Sequence, residues 1–261
     1  MKKVTTGYKD HIAYVTLARA DKHNALDEEM IDLIIAAGQE VAQSDARAVV
    51  LSGAGKSFCA GLDMAALASF AQRDLSSLIM ERTHEDANAF QEVAMVWRRV
   101  PVPVIAAIHG ACFGGGLQIA LGADIRIAHP EAQLSVMEMK WGLIPDMGGM
   151  ALLPRLLRSD VLRRLTWTAE KVEGPQALDW GLVTELAGNP LSRANELAKE
   201  IAGKSPSAVR AAKRLIAYAE SGASQAEVLL RESAEQLDLI GKPNQIEAVA
   251  AQLQKRPPEF S

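Results

Sequence analysis

The chain has 261 residues, enough for one or two domains with a full hydrophobic core. Its composition, with 49% hydrophobic and 23% charged residues, is that of an ordinary folded globular protein. The net charge of −4 provides no basic surface of the kind that nucleic-acid-binding proteins need, so we expect no nucleic-acid partner.

The sequence also argues against membrane insertion and metal chemistry. No apolar run reaches the length of a membrane-spanning helix, and the first residues follow neither a signal-peptide nor a transit-peptide pattern. We therefore expect a cytoplasmic protein with no membrane partner. The two cysteines, Cys59 and Cys112, lack a metal-ligand spacing, and small buried residues in a reducing compartment are the favoured interpretation. No metal and no separate cofactor is predicted.

The first part of the chain alternates between predicted strands and helices. The first two strands turn at Lys9-Asp10, and the first helix begins with the acids Asp27, Glu28 and Glu29, which suit a helix N-terminus. This alternation predicts parallel β/α construction. In chain order, the predicted elements are strands within 2–18, a helix over 27–44, a strand over 48–52, a charged helical lid or pocket wall over 74–99, and strands near 103–108 and 124–128.

The predicted strands stop after about residue 190. Ser-Pro, Ser-Gly and Lys-Pro breaks then separate helical stretches rich in Ala and Leu. The predicted helices cover 191–203, 206–221, 224–240 and 243–254. We therefore divide the chain into a core over 1–190 and a helical C-terminal subdomain over 191–261.

Three consecutive glycines at 114–116 join an apolar strand to an apolar helical stretch. Glycine lets another molecule approach the main chain closely, because it has no Cβ. The first turn of a helix also presents unpaired N–H groups and the positive end of the helix dipole. Such a turn can bind a negatively charged oxygen. The alternative is a tight turn in which glycine only permits close packing.

A second glycine-rich segment, residues 53–63, follows the strand at 48–52. Its Gly-Lys-Ser at 55–57 resembles the end of a phosphate-binding P-loop, but that motif needs a glycine where Val50 stands. What remains is a strand, a glycine turn, and Gly61 leading into a helical stretch. The chain thus has two glycine-marked strand ends, each able to direct a backbone N–H at one point.

Glu138 and Asp146 are the candidate acids and bases. Apolar neighbours flank Glu138, so partial burial and a raised pKa suited to proton transfer are expected. A buried salt bridge to Lys140 or Arg155 is the alternative for Glu138. For Asp146, which follows Pro145, the alternative is helix capping.

Taken together, several segments resemble the crotonase (enoyl-CoA hydratase/isomerase) superfamily. They occur in the family's order and at its spacing, and the similarity covers nearly the whole chain. The matching segments are 22–26, 57–63, 103–110, 114–124 and 141–149. The resemblance implies an α/β fold with a crotonase-like β/β/α superhelix core. It also implies a helical tail packed around a trimer axis, often within a hexamer.

For the site, the resemblance implies an acyl-CoA thioester substrate that reacts through an enolate. The family holds the thioester oxygen between two backbone N–H groups, which match Leu62 and Gly115 here. Coenzyme A belongs to the substrate, so no cofactor is implied. Further positions that match or adjoin the family's substrate site are Lys22, Ala25, Ala60, Gly61, Asp63 and Gln118.

Position 118 decides which reaction the resemblance favours. Hydratases of the family hold a water between two glutamates, at the positions of Gln118 and Glu138, and an amide cannot act as a general acid or base. The dienoyl-CoA isomerases use carboxylates placed like Glu138 and Asp146, although they also carry an Asp at position 118. We favour double-bond isomerisation, with Gln118 orienting substrate or water. Hydration through Glu138 and Asp146, and a non-catalytic CoA-thioester binder, are the alternatives.

Overall fold

The computed structural model describes residues 2–70 and 73–261 of the chain. Its strands are β1 Val4–Lys9, β2 Ile12–Leu17, β3 Ala48–Gly53, β4 Val104–Ile108, β5 Ala111–Phe113, β6 Ile125–Ala128, β7 Gln133–Ser135, β8 Val172–Glu173 and β9 Glu185–Leu186. Its helices are α1 Glu28–Ala42, α2 Met64–Phe70, α3 Leu75–Met80, α4 Ala89–Arg99, α5 Gly115–Leu121, α6 Gly149–Leu152, α7 Ser159–Thr168, α8 Gly174–Asp179, α9 Pro190–Ala202, α10 Pro206–Ala219, α11 Gln225–Leu237 and α12 Pro243–Gln254.

A larger and a smaller sheet form the core. The larger sheet has the order β1-β2-β3-β4-β6-β9, with β1 antiparallel to β2 and the other neighbours parallel. The smaller sheet has the order β5-β7-β8, with β5 and β7 parallel. The predicted parallel construction is confirmed for the larger sheet. Sequence patterning missed the smaller sheet because its strands are only two or three residues long.

Helices cover both faces of the larger sheet. On one face, Val49 and Leu51 of β3 share a buried cluster with residues of α1 and α4. On the other face, Val50 packs with Ala194 and Ala198 of α9. Because residues on both sides are buried, β4 is apolar along its whole length, as expected for a parallel strand covered on both faces.

The predicted helix over 74–99 is interrupted, which corrects that prediction. Asp74 caps the start of α3, which ends at Met80. The α4 helix then begins with a capping box, in which Asn88 and Gln91 each bond the other's backbone N–H. These local hydrogen bonds favour two separate helix starts over one continuous helix.

The C-terminal helices α10, α11 and α12 leave many apolar side chains exposed. Leu230, Leu237 and Leu253 are 73%, 75% and 78% exposed, respectively. Nowhere in the described part of the chain is a helix both long and apolar enough to span a membrane.

The two glycine-rich segments lie side by side. Cys59 of the first and Cys112 of the second form a parallel bridge, with hydrogen bonds from Cys59 N–H to Ala111 O and from Phe113 N–H to Cys59 O. The chain that follows Cys59 therefore runs next to the start of α5. This pairing brings two segments more than fifty residues apart to the same point.

Candidate active site

A cavity of about 500 Å³ lies where the two glycine-rich segments meet. It contains nearly all of the predicted site residues. Its lining residues are Lys22, Ala25, Ala60, Gly61, Leu62, Asp63, Met64, Phe113, Gly114, Gly115, Met137, Glu138, Lys140, Trp141, Leu143, Asp146, Met147 and Lys171.

The backbone N–H groups of Leu62 and Gly115 both remain available at this cavity. Leu26 N–H donates to Gly61 O and Asp63 N–H donates to Leu26 O, so the residues on either side of Leu62 face Leu26. In an extended strand, the N–H of the residue between them points to the opposite side. Gly115 opens α5, where the N–H has no partner within the helix. Among the described residues, neither N–H has a hydrogen-bond acceptor.

Gly61 permits the close approach of the two segments. Its φ of +92° lies in the region that favours glycine. A Cβ at Gly61 would lie 2.8 Å from Phe113 O and 3.7 Å from Gly115 N. The next residue, Leu62, lines the same cavity as Gly115. Two backbone N–H groups at one cavity, both without an acceptor among the described residues, suit an oxygen that gains negative charge.

The glycines of α5 also serve close packing. A Cβ at Gly116 would lie 2.4 Å from the backbone oxygen of Cys59, which cannot move without moving its strand. A Cβ at Gly114, where φ is +50°, would lie 3.1 Å from Glu138 Oε1. Both interpretations of the glycine triplet, donor exposure and close packing, therefore apply.

Glu138 opens a short 3-10 turn over Glu138–Trp141 and is only 9% exposed. Burial raises the pKa of its carboxyl, and the nearby charge of Asp146 raises it further, while hydrogen bonds from Gln118 and the backbone oppose the shift. Its Oε2 is buried and has no hydrogen-bond partner among the described residues. The salt bridge to Lys140 or Arg155 considered for Glu138 is not formed. Among the described residues, Oε2 is therefore the oxygen of Glu138 at which no hydrogen bond opposes protonation.

Gln118 does not line the cavity, which corrects the prediction that it contacts substrate or water. It is 2% exposed and lies behind Glu138, with its Nε2 donating to Glu138 Oε1 at 2.6 Å. Its Oε1 accepts from the N–H groups of Met147 and Gly149, both at 2.8 Å. Because the protein occupies both ends of the amide, Gln118 acts on other protein groups.

Asp146 lies at the edge of the cavity and is exposed. Partial desolvation nevertheless raises the pKa of its carboxyl, against a lowering effect of its own backbone N–H. It is not the residue that caps the next helix, because Gly148 occupies the N-cap of α6. No side chain in the described ranges donates a hydrogen bond or ion pair to Asp146. Its carboxylate is therefore available to a ligand.

The remaining predicted residues border the cavity in different ways. Asp63 is tied to the protein, with an ion pair to Arg19 at 2.8 Å and a hydrogen bond from Ala65 N–H, and the latter is the main reason why its pKa is lowered. Lys22 lines the cavity together with Lys140 and Lys171, two cations that no sequence pattern marked as part of the site. These cations suit anionic groups such as phosphates.

Asn24 is a structural residue of the site that the sequence reasoning did not single out. It is fully buried, with φ +56°, and its Nδ2 donates to the carbonyl oxygens of Ala54, Ser57 and Phe58. It thereby anchors the turn before Gly61. Asn tolerates this backbone conformation better than most residues, and that preference was the available signal.

The two cysteines are poorly suited to act as nucleophiles, because both are buried. Both Cys59 and Cys112 are free and buried, and burial raises the pKa of Cys59 to about 12. Thiols of this kind are poor nucleophiles at neutral pH. Within residues 2–70 and 73–261, no group of three or more His, Cys, Asp or Glu residues is placed to hold a metal ion.

Comparison with known proteins gives a consistent assignment. Residues 7–261 match the model of the family described as Enoyl-CoA hydratase/isomerase. The chain is 34% identical over 232 residues to the mitochondrial Delta(3,5)-Delta(2,4)-dienoyl-CoA isomerase of Mus musculus, covering 83% of this chain and 68% of that protein. It is also 34% identical over 217 residues to the (E)-benzylidenesuccinyl-CoA hydratase of Thauera aromatica, covering 81% and 80%. An enoyl-CoA hydratase structure from Polaromonas sp. JS666 superimposes with a TM-score of 0.89 at 27% identity, over 99% of both chains.

Proposed function

Since the chain belongs to the enoyl-CoA hydratase/isomerase family, with the crotonase fold, we propose that it shifts a double bond in an acyl-CoA. Membership makes it an enzyme that processes CoA thioesters of the enoyl type. The observation that carries the choice of reaction is the set of groups at one cavity. Two carboxyls with raised pKa border it beside two free N–H groups, while the third acidic position holds a buried amide.

In the proposed mechanism, the thioester oxygen binds between the N–H groups of Leu62 and Gly115. Removal of a proton from C2 sends the electron pair toward this oxygen. Each preorganised donor stabilises the resulting enolate by about 3 kcal/mol, judging by the loss of single donors elsewhere. The proton returns at C4 of a 3-enoyl chain or at C6 of a 3,5-dienoyl chain. The product is conjugated with the thioester, and no oxidant or reductant is consumed.

Glu138 is the base that takes the C2 proton. This role is supported by its burial and by Oε2, which has no hydrogen-bond partner among the described residues, because a desolvated carboxylate holds a proton more tightly than one in water. Asp146, across the same cavity, returns a proton to the far end of the double-bond system. Two carboxyls at different places along the acyl chain suit a proton shift.

Hydration is the second candidate, because hydratases occur among the relatives. In that reaction Glu138, with Asp146, activates a water that adds to a 2-enoyl chain. The two-glutamate site of ordinary hydratases is not available here, since Gln118 is buried and both ends of its amide are bonded to protein. This occupied amide favours isomerisation.

The CoA part of the substrate binds at the cationic side of the cavity. Lys22, Lys140 and Lys171 line it, and ammonium groups bind phosphates as point charges. Ala25, Ala60 and the side chain of Leu62 shape the wall against the acyl-CoA.

We further propose assembly into a homotrimer or hexamer in the cytoplasm, with residues 191–261 providing contacts between subunits. The exposed leucines of α11 and α12 support this assembly, because a large apolar surface favours a protein partner. The free, buried cysteines suit a reducing compartment.

The proposed function is tested by incubating the protein with 3-enoyl-, 3,5-dienoyl- and 2-enoyl-CoA in D₂O. We expect double-bond shifts with deuterium incorporation as the main outcome.

Glu138→Gln should lower kcat by about 10²–10⁴-fold, since it removes the proton acceptor. Asp146→Asn should slow the net shift more than deuterium exchange at C2, because Glu138 still removes that proton. The exposed Glu131→Gln is the control.

Each alternative has its own signature in the same assay. A main product heavier by one water would favour the hydratase. Tight thioester binding without turnover of any of the three substrates would favour the non-catalytic binder. Full activity of Glu138→Gln would show that the base is another residue.

A further inference from the structure

The orientation of the Gln118 amide is determined by its backbone partners. Two N–H groups, those of Met147 and Gly149, point at the same atom of the amide, each at 2.8 Å. Only an oxygen can accept from both, so this atom is the carbonyl oxygen and the flipped amide is excluded. The NH₂ group must then face Glu138 Oε1, at 2.6 Å, as a donor.

This donor restricts where Glu138 can carry a proton. An oxygen that accepts from an amide N–H cannot direct an O–H of its own along the same line. Oε1 of Glu138 is therefore held as an acceptor. A proton on this carboxyl is favoured on Oε2, which carries no competing hydrogen bond among the described residues.

We propose that Gln118 is a positioning residue that selects Oε2 of Glu138 as the oxygen that transfers the proton. The proposal rests on the function assigned to Glu138 above. Gln118 lies on α5, the helix whose first residue, Gly115, offers one of the free N–H groups. Its amide therefore links the donor helix, the turn that carries Glu138 and the segment just after Asp146.

An acid at position 118 would not be equivalent. A carboxylate there could still accept from Met147 and Gly149, but its other oxygen would face Glu138 Oε1 at the amide's distance. Two carboxyl oxygens so close must share a proton. The proton would be held between the two side chains, and Oε2 of Glu138 would lose its function at neutral pH.

The experiment compares wild type, Gln118→Glu, Gln118→Met and Glu138→Gln. Gln118→Glu keeps an oxygen that accepts the two backbone hydrogen bonds and removes only the N–H donor to Glu138. Gln118→Met removes the acceptor and the donor together. The activity readout is the pH dependence of kcat for the double-bond shift. A second readout, without substrate, is the infrared C=O band of protonated Glu138, assigned by its loss in Glu138→Gln.

We expect Gln118→Glu to melt close to wild type, with kcat at neutral pH at least about tenfold lower and KM little changed. The acidic limb of its kcat profile and the infrared titration should both move to higher pH. Gln118→Met should show the same movement in a less stable protein, because two buried N–H groups lose their acceptor.

Two results would overturn the positioning role. One is that, in both Gln118 variants, the infrared titration of Glu138 and the acidic limb of the kcat profile occur at the same pH as in wild type. The other is new hydration activity in Gln118→Glu, which would mean that position 118 reaches the reacting carbon. If wild type converts no acyl-CoA, the proposed function fails instead, and the infrared titration of substrate-free protein still decides the role of Gln118.

Discussion

Glu138 holds its carboxylate where water is largely excluded, and this placement has a cost in stability. Burial is the main cause of its raised pKa. The folded protein therefore binds this proton more tightly than the unfolded chain does. The contribution of Glu138 to stability is greatest at low pH and is lost as the pH rises from the ordinary value of 4.5 through the raised one. At neutral pH the charged group works against folding.

A pH series on Glu138→Gln tests this linkage. The variant carries no charge at position 138, so its Tm relative to wild type should become more favourable as the pH rises from about 4 to 8. Differential scanning calorimetry at matched ionic strength measures this difference. The same series on Glu131→Gln provides the baseline. A Tm difference for Glu138→Gln that stays constant with pH would contradict the assignment of Glu138 as a desolvated acid.

Both carboxylates could be chosen from their neighbours in sequence, but their hydrogen-bond partners could not. The apolar residues around Glu138 predicted burial, and burial is confirmed. The capping role considered for Asp146 was wrong because Gly148 occupies that position. Whether a carboxyl finds a hydrogen-bond donor depends on residues far along the chain, such as Gln118.

The α5 helix depends on how closely it packs against the segment of Cys59. Gly116 faces that segment's backbone, and an added Cβ would lie 2.4 Å from Cys59 O. Gly115 instead faces the end of the flexible Met147 side chain, with Sδ at 2.6 Å from an added Cβ. The backbone of Cys59 cannot move aside as easily as the thioether of Met147 can. Gly115 and Gly116 should therefore differ in how well they tolerate substitution by alanine.

We therefore expect Gly116→Ala to lower the free energy of unfolding by about 1–3 kcal/mol, the usual cost of overpacking. Gly115→Ala is the matched control and should be the more stable of the two. Urea unfolding followed by circular dichroism measures both. A larger loss in Gly115→Ala than in Gly116→Ala would contradict this account of how α5 packs.

Helices could be predicted from the sequence wherever their pattern of apolar and polar residues extended over several turns. The helices α9 to α12 begin and end within about three residues of their predicted bounds, because amphipathic periodicity and Pro or Ser starts define them locally. The break between α3 and α4 was missed, since capping by Asn88 outweighed a continuous helical pattern. The short strands of the smaller sheet offer too few residues for any periodicity.

The surface of the whole molecule is uneven in its apolar content. Leu230 on α11 and Leu253 on α12 are mostly exposed, although contact between a leucine side chain and water is unfavourable. Burying such side chains between copies of the chain would stabilise the assembly by removing their apolar surface from water. A symmetric assembly is the commonest way in which soluble proteins do so.

The paired substitution Leu230→Asp with Leu253→Asp should therefore lower the molar mass in solution. Wild type is expected at the mass of a trimer or hexamer, and the double variant at that of a smaller species. Analytical ultracentrifugation at micromolar concentration measures both. Gln252→Asp, which adds one negative charge at the exposed position beside Leu253, should leave the mass unchanged. A monomeric wild type, or a double variant of unchanged mass, would contradict the proposed assembly.

The order of residues was enough to reveal the family, the two glycine turns and the pair of acids, because backbone freedom at glycine and the burial of apolar runs are local properties. It could not reveal the role of Gln118. The three partners of its amide stand 20, 29 and 31 residues along the chain, and folding alone brings them to one side chain. The placement of Leu62 and Gly115 at one cavity likewise depends on the pairing of Cys59 with Cys112. Hydrogen bonds between distant segments form only when the chain is folded, so they cannot be predicted from the local sequence pattern.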